Sequence, residues 1–319
     1  MEYLLLVLIL FIAELAYFKI ADKYNIIDKP NERSSHTQIT LRGGGVIFYL
    51  GVLAYFLYSG FEYPWFFLGL TLMTAISFLD DVFTLSNKIR LSIHLTSVLL
   101  MFYQLGVFDF HILIVLIGIV VVIGTINAYN FMDGINGITA AYSIAVLGLL
   151  ALINHQLGFI AQDLIIYAGI ATLVFGFFNF RNKAKCFAGD VGSVSMAFIV
   201  IFILGSLIIA TQNLMYILLI SVYGIDTVWT IVRRLLRKEN IFQAHRSHLY
   251  QFLSNEARNN KLIVSFTYAA LQFIIGLSVI YASNQTVQFQ WVFSIGLLVV
   301  LSAVYLGIKQ RVIKKYVGA

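Results

Sequence analysis

Apolar residues along this chain run together in long stretches broken by short polar segments, and eleven of these are long enough to be read as helices crossing a bilayer. They fall near residues 3–20, 44–59, 64–79, 90–106, 110–128, 137–154, 161–179, 194–211, 213–233, 262–282 and 290–308. A hydrocarbon core about 30 Å thick takes about 20 mostly apolar residues as helix, because no water is present there to satisfy open backbone groups. The expected fold is an all-α polytopic integral membrane protein of eleven transmembrane helices, or ten if one stretch does not cross. It forms a single domain over 1–319.

The polar segments orient this bundle. No basic residue precedes the first stretch, whereas Lys19 and Lys23 follow it, which predicts a retained anchor with its N-terminus outside. Threading the chain from there puts all 21 Lys and Arg, including Lys309, Arg311, Lys314 and Lys315 of the tail, on the cytoplasmic side. The opposite loops, such as QLGVFDFH and SNQTVQFQ, are short and contain no basic residue. The cytoplasmic loops are then about 21–43, 80–90, 127–137, 180–193 and 234–261.

Composition agrees with a membrane setting. The chain is 60% apolar and 11% charged, against roughly 45–50% and about 25% for a soluble domain. The net charge of +6 is scattered between apolar stretches, so it reports orientation and does not mark a nucleic-acid surface. The single cysteine, Cys186, excludes an internal disulfide and reads as a free thiol in a loop.

Four polar clusters on the cytoplasmic side hold residues that a structural loop does not need. In LDDVFTLSNKIR, Asp80 and Asp81 are adjacent at the end of the third span. Neighbouring carboxylates repel unless a proton or cation relieves them, and Mg²⁺ shared with a phosphate is a natural relief at a membrane surface. In NAYNFMDGINGIT, Asn127, Asn130, Asp133 and Asn136 lie among glycines and offer donors and acceptors to a polar ligand. A capped turn accounts for two of these residues but not for all four.

In FRNKAKCFAGDVGS, Asp190 lies among glycines before the eighth span, an arrangement suited to a phosphate held through a metal. An N-capping Ser193 is the competing reading. In RRLLRKENIFQAHRSHLYQ, His245, Arg246 and His248 could bind phosphate by charge-assisted hydrogen bonds, or the histidines could ligate zinc, for which no cysteine and no third ligand lies nearby. Glu14 and His94 read as helix–helix or interfacial residues, while Asp226, an ionisable group in a membrane run, is functional or paired.

These clusters, in this order, resemble the polyprenyl-phosphate N-acetylhexosamine-1-phosphate transferases. The resemblance begins at DKPNERSSHTQITLRGGG (28–45), similar to the family's D-x-P-N-x-R-x-x-H-x-x-x-x-x-R-G-G loop, which carries Arg42. It runs through Asp80-Asp81, the 127–137 block and GDVGS, and closes with AHRSHLYQ, the form most like the bacterial branch that starts O-antigen or capsule chains, often on deoxy-N-acetylhexosamines. The resemblance implies transfer of a sugar 1-phosphate from a UDP-sugar to undecaprenyl phosphate at the bacterial inner membrane, with UMP as the other product. It implies Mg²⁺, with Mn²⁺ as a substitute, and leaves a homodimer open.

By the same resemblance, Asp80 and Asp81 would serve metal binding and activation of the lipid phosphate, and Asp190 would be a principal metal ligand. Asn130 and Asp133 would hold the nucleotide, with Asn127 and Asn136 in the same block. Lys88 would face phosphate, and Arg42 would be among the substrate-binding residues. His245 and His248 would sit over the sugar diphosphate beside Arg246. Asn136 stands where many relatives have Asp, and His-Arg-Ser-His departs from the adjacent histidines of the muramoyl-pentapeptide branch.

Two other classes compete. An intramembrane aspartyl protease would carry Gly-x-Gly-Asp, but this chain has Phe187-Ala188-Gly189-Asp190. A secondary transporter would place its polar residues near the bilayer midplane in broken helices, whereas here they gather at one interface.

Overall fold

The computed structural model describes residues 1–30, 35, 38–83, 85–241, 243 and 245–318. Part of the first-loop motif, including Asn31, Arg33 and His36, lies outside the described residues. The chain forms α1 (Glu2–Lys23), α2 (Val46–Tyr58), α3 (Pro64–Phe83), α4 (Asn87–Leu105), α5 (Ile112–Met132) and α6 (Ile138–Leu157). There follow α7 (Gln162–Asn179), α8 (Gly189–Thr211), a 3₁₀ entry at Leu214–Ile220 into α9 (Ser221–Leu236), the single turn α10 (Leu249–Gln251), α11 (Lys261–Ser283) and α12 (Val287–Tyr316). The protein is an all-α polytopic membrane protein, and each of the eleven apolar stretches coincides with one long helical element.

Among the described residues, nine helical segments are long and apolar enough to cross a membrane. The two remaining elements fall short for different reasons: α2 has 13 residues, and α4 opens on Asn87-Lys88-Ile89-Arg90. Both nonetheless run from one end of the bundle to the other. At its start α2 meets α8, where the Gly45 amide donates to the Ala188 carbonyl at 3.1 Å. At its end the Tyr58 hydroxyl reaches Glu2 in the first turn of α1 at 3.2 Å. Helix α4 pairs Arg90 with Asp80 at the end of α3, and Gln104 accepts from the Trp65 amide at the beginning of α3, 3.0 Å away.

Helices α6 and α8 form the centre, with 67% of the apolar window of each buried, whereas α12 buries 6% of its own. Small residues let α8 approach its neighbours, as membrane helices packing without a hydrophobic drive require. Thr74 and Ser195 share a hydrogen bond at 2.8 Å, and the Phe66 and Phe202 rings stack with centroids 3.8 Å apart.

One irregular ribbon holds the functional end together. Strands β1 (Ile27–Asp28) and β2 (Thr40–Leu41) pair antiparallel, and the chain after β2 is stitched to 186–188. The Phe187 amide donates to Leu41 and the Gly44 amide to Phe187, at 2.8 and 2.9 Å. Gly45 and Gly192 meet backbone to backbone: a Cβ on Gly45 would lie 2.3 Å from the Gly192 Cα. The RGGG and GDVGS glycines are thus a packing device that brings the first loop onto α8. Cys186, expected as a loop thiol, is fully buried, its sulfur 3.5 Å from Glu14.

Candidate functional site

Helix α8 starts at Gly189, about a turn earlier than the apolar pattern predicts, so Asp190 lies in its first turn. The cause is Asp81. Its Oδ1 accepts from the Asp190 amide at 3.1 Å and its Oδ2 from the Val191 amide at 3.0 Å, satisfying two otherwise open donors of the α8 N-terminus. Ser193 is therefore not the cap; it bonds back to the Gly189 carbonyl and accepts from Asn130 Nδ2 at 3.1 Å. Gly189 adopts φ +71°, and a side chain there would also strike Asp81 Oδ2 at 2.6 Å.

Two arginines bind this acid cluster. Arg42 Nη2 lies 2.7 Å from Asp81 and 3.3 Å from Asp190, while Arg90 lies 2.6 Å from Asp80 and 3.5 Å from Asp190. Burial works against the charge of Arg42, but Asp81 and Asp190 more than offset it, so its guanidinium is held charged. Asp80 has its other oxygen on the Leu85 amide at 2.6 Å. Both members of the pair are thus engaged within the protein, whereas the Asp190 side chain, 23% exposed, is open to solvent.

A cavity of about 230 Å³ opens beside Asp190, with Arg42, Asn130, Asp133, Asn136 and Gln251 also in its wall. Asp133, just past the end of α5, accepts from the Thr139 hydroxyl. Burial pushes its carboxyl up to about 7, with the Thr139 hydrogen bond opposing and the charge of Asp190 adding to the rise. Asn136 lines the cavity, but its amide is tied to the carbonyls of Arg181 and Asn182 at 2.8 and 3.2 Å. Asn179 clamps the same loops, accepting from the Gly137 amide at 2.7 Å and donating to the Cys186 carbonyl at 2.8 Å.

Several expected site residues stand elsewhere. Asn127 is exposed and bonds back to the Ile123 carbonyl at 2.9 Å, since it falls on the outer face of α5, three residues from Asn130. Lys88 is exposed on the first turn of α4 and does not line the cavity; the α4 cation that binds the acids is Arg90, two residues on. Arg246 pairs with Glu256 at 3.5 Å.

The histidines stand beside the cavity and are not in its wall. His248 is buried because Asp226 captures it: Asp226 Oδ1 lies 3.3 Å from His248 Nδ1 and accepts the Leu249 amide at 3.0 Å, capping α10. Asp226 also accepts from the hydroxyls of Tyr268 and Tyr305 at 2.8 and 2.9 Å, so it is paired, as an acid in a membrane run must be. His245 stacks on His248 with centroids 5.0 Å apart and bonds Ser247 at 2.9 Å. Burial, with the neighbouring His248 and Arg234, pulls its imidazole down to about 4, which keeps it neutral near pH 7. The loop reaches the cavity through Gln251, and the neighbouring Tyr250 donates its hydroxyl to the Phe131 carbonyl at 2.8 Å.

Of the residues that motif reading passed over, Arg90 and Gln251 matter most. Arg90 carried a signal, a second cation on the inward side of the helix that begins at Asn87. Gln251 carried none beyond its place next to the His loop.

The donor set of this cavity fits a hard cation. Magnesium takes one or two carboxylates and completes its shell with water and phosphate oxygens, and Asp190 and Asp133 are carboxylates in one wall. Among the described residues no group of three Asp, Glu, His or Cys side chains forms an all-protein metal cage, which such a shared site does not need.

Fold and cavity together define a polytopic membrane protein with a charged, water-open site at one end of its bundle. Residues 63–211 match the model of glycosyl transferase family 4. The chain is 27% identical over 293 residues to a Bacillus subtilis protein named "probable undecaprenyl-phosphate N-acetylglucosaminyl 1-phosphate transferase", covering 84% of this chain and 80% of that one. It is also 27% identical to the undecaprenyl-phosphate alpha-N-acetylglucosaminyl 1-phosphate transferases of Yersinia pestis (81% of this chain, 78% of that one) and Thermotoga maritima (81% and 83%). Over most of its length the chain is similar to polyprenyl-phosphate N-acetylhexosamine-1-phosphate transferases.

Proposed function

We propose that this protein transfers an N-acetylhexosamine 1-phosphate from a UDP-sugar to undecaprenyl phosphate at the cytoplasmic face of a bacterial inner membrane, releasing UMP. The supporting observation is the pairing of Asp190 and Asp133 in one cavity wall with Arg42 and Arg90 bridging the acids beside it. Both reactants are anionic, so a site that joins them must supply compensating positive charge. N-acetylglucosamine is the leading sugar because the relatives' names specify it; a deoxy-aminosugar of O-antigen or capsule synthesis is the alternative that the AHRSHLYQ form favours.

Magnesium, with Mn²⁺ as a substitute, would be held by Asp190 with Asp133 and would neutralise the diphosphate. Arg42 and Arg90 are the cations placed to take phosphate oxygens, since a guanidinium offers paired donors that match them. Asp81 acts as a positioning residue: it fixes the α8 N-terminus and holds Arg42, so Asp190 presents its carboxylate to the cavity. Asn130, braced on Ser193, offers an amide to the nucleotide. The lipid phosphate is largely ionised near pH 7 and needs no strong base, which suits Asp80 with both its oxygens engaged.

The test is purified protein with undecaprenyl phosphate, Mg²⁺ and a panel of UDP-N-acetylhexosamines, scored for UMP. UMP formed with one or more sugars, and only when the lipid phosphate is present, supports the reading. No UMP with any of them, or stoichiometric UMP with label left on the protein when lipid is omitted, overturns direct transfer.

A further inference from the structure

A second concavity, of about 860 Å³, lies between the ends of α9 and α12, on the same end of the bundle as the acid cavity because α9 leads directly into the His loop. Five cations line it, Arg233, Arg237, Lys309, Arg311 and Lys314, and among the described residues no carboxylate does. Among the described residues none of the five forms an ion pair, although elsewhere at this end acids are found for Arg42, Arg90, Arg234 and Arg246. Like charges held this closely repel, and a membrane protein that keeps them so gains from an external anion.

Lys309 makes this more than a scatter of interfacial lysines. It is 3% exposed and gives two of its three N–H donors to Thr230 and Tyr305, at 2.8 and 2.6 Å, leaving one for the groove it lines. A free interfacial lysine would snorkel to water, whereas this ammonium is fixed in place. The groove also has an apolar edge, Leu306 and Ile313, and continues onto the outward face of α12, where Val300 and Val304 are more than half exposed. A fixed phosphate-binding head above an apolar strip matches an amphiphile better than a free ion.

We propose that this groove binds the phosphodiester headgroup of an anionic phospholipid, with its acyl chains along α12. The site is separate from the acid cavity and none of its residues is assigned to the transfer reaction. Bound lipid would neutralise the cationic rim and brace Lys309, which through Tyr305 and Asp226 supports the turn that carries His248.

The experiment measures lipid retention by native mass spectrometry on the full chain in detergent, using phosphatidylglycerol, phosphatidylcholine, inorganic phosphate and undecaprenyl phosphate as probes. Phosphatidylglycerol should be retained in preference to phosphatidylcholine. The double variant Arg237→Gln/Lys314→Gln should weaken its retention by roughly tenfold or more, from the usual contribution of each basic residue at an anionic surface, while UMP formation in phosphatidylcholine micelles stays at the parent rate. Equal retention of phosphatidylcholine, or unchanged phosphatidylglycerol binding in the double variant, overturns the proposal. Displacement by inorganic phosphate would make it a free-anion site, and displacement by undecaprenyl phosphate at equal mole fraction would make it an acceptor site; either result overturns the lipid assignment.

Discussion

Two acid centres stand at one end of this bundle, one buried and one open to solvent, and they are satisfied in opposite ways. Asp226 is held by fixed donors, two tyrosine hydroxyls, a backbone amide and an imidazole, all built into the surrounding helices. Asp190 is held by the tips of two arginines, 30% and 35% exposed, at the long distances of 3.3 and 3.5 Å. A carboxylate with every lone pair taken by rigid partners is an anchor. A carboxylate balanced by side chains that can turn elsewhere is ready to exchange them for a ligand.

The sharpest way to break this contrast is to remove each acid. Asp190→Ala should lower kcat for UMP release by about 10³-fold or more while the protein keeps its unfolding temperature. Asp226→Ala should instead destabilise the fold by about 3–5 kcal/mol, because it strands several buried partners; thermal unfolding and proteolysis within 245–251 would register it. Near-normal turnover in the first variant, or an unchanged melting profile in the second, would erase the distinction.

The arginines come next. Arg90→Gln should cost about 10²-fold in kcat/KM, whereas Lys88→Gln, on the exposed side of the same turn, should stay within about twofold. Equal losses would return the phosphate-facing role to Lys88.

A smaller effect separates the acids by pH. The Asp133 carboxyl is raised to about 7 by burial, so the folded state holds its proton after the unfolded chain has released it. Stability from this group is therefore fully present below about pH 4 and declines as pH rises to about 7, where it levels off. Unfolding temperatures of metal-free protein between pH 5 and 8 should fall along this slope, and Asp133→Asn should flatten it. The smallest expected change is Asn127→Ala, within about 0.5 kcal/mol in stability and silent in turnover, against a loss of about tenfold for Asn130→Ala.

The fold was legible because long apolar stretches carry their meaning one at a time: each needs only its own length and composition. The acid cluster was legible as a set of residue types but not as a set of contacts. Asp80 and Asp81 read alike in sequence, yet one binds Arg90 and the other caps a helix 109 residues on. That difference depends on where α8 docks, which no local pattern encodes. Lys88 and Asn127 stand outside the cavity for one reason, that a loop-like polar cluster gives no helical phase until the helix boundary is known. Arg42 was read from a motif whose glycines serve to let two backbones touch.

The stitching of residues 41–45 to 186–188 has a consequence for biosynthesis. Arg42 and Asp81 leave the ribosome long before Asp190, so until the eighth helix enters the bilayer the first two have only each other, and the helix end that Asp81 is to cap does not yet exist. Docking of α8 joins the early and late halves of the protein, and a nascent chain arrested before residue 189 would display its acids and arginines without the cavity beside Asp190.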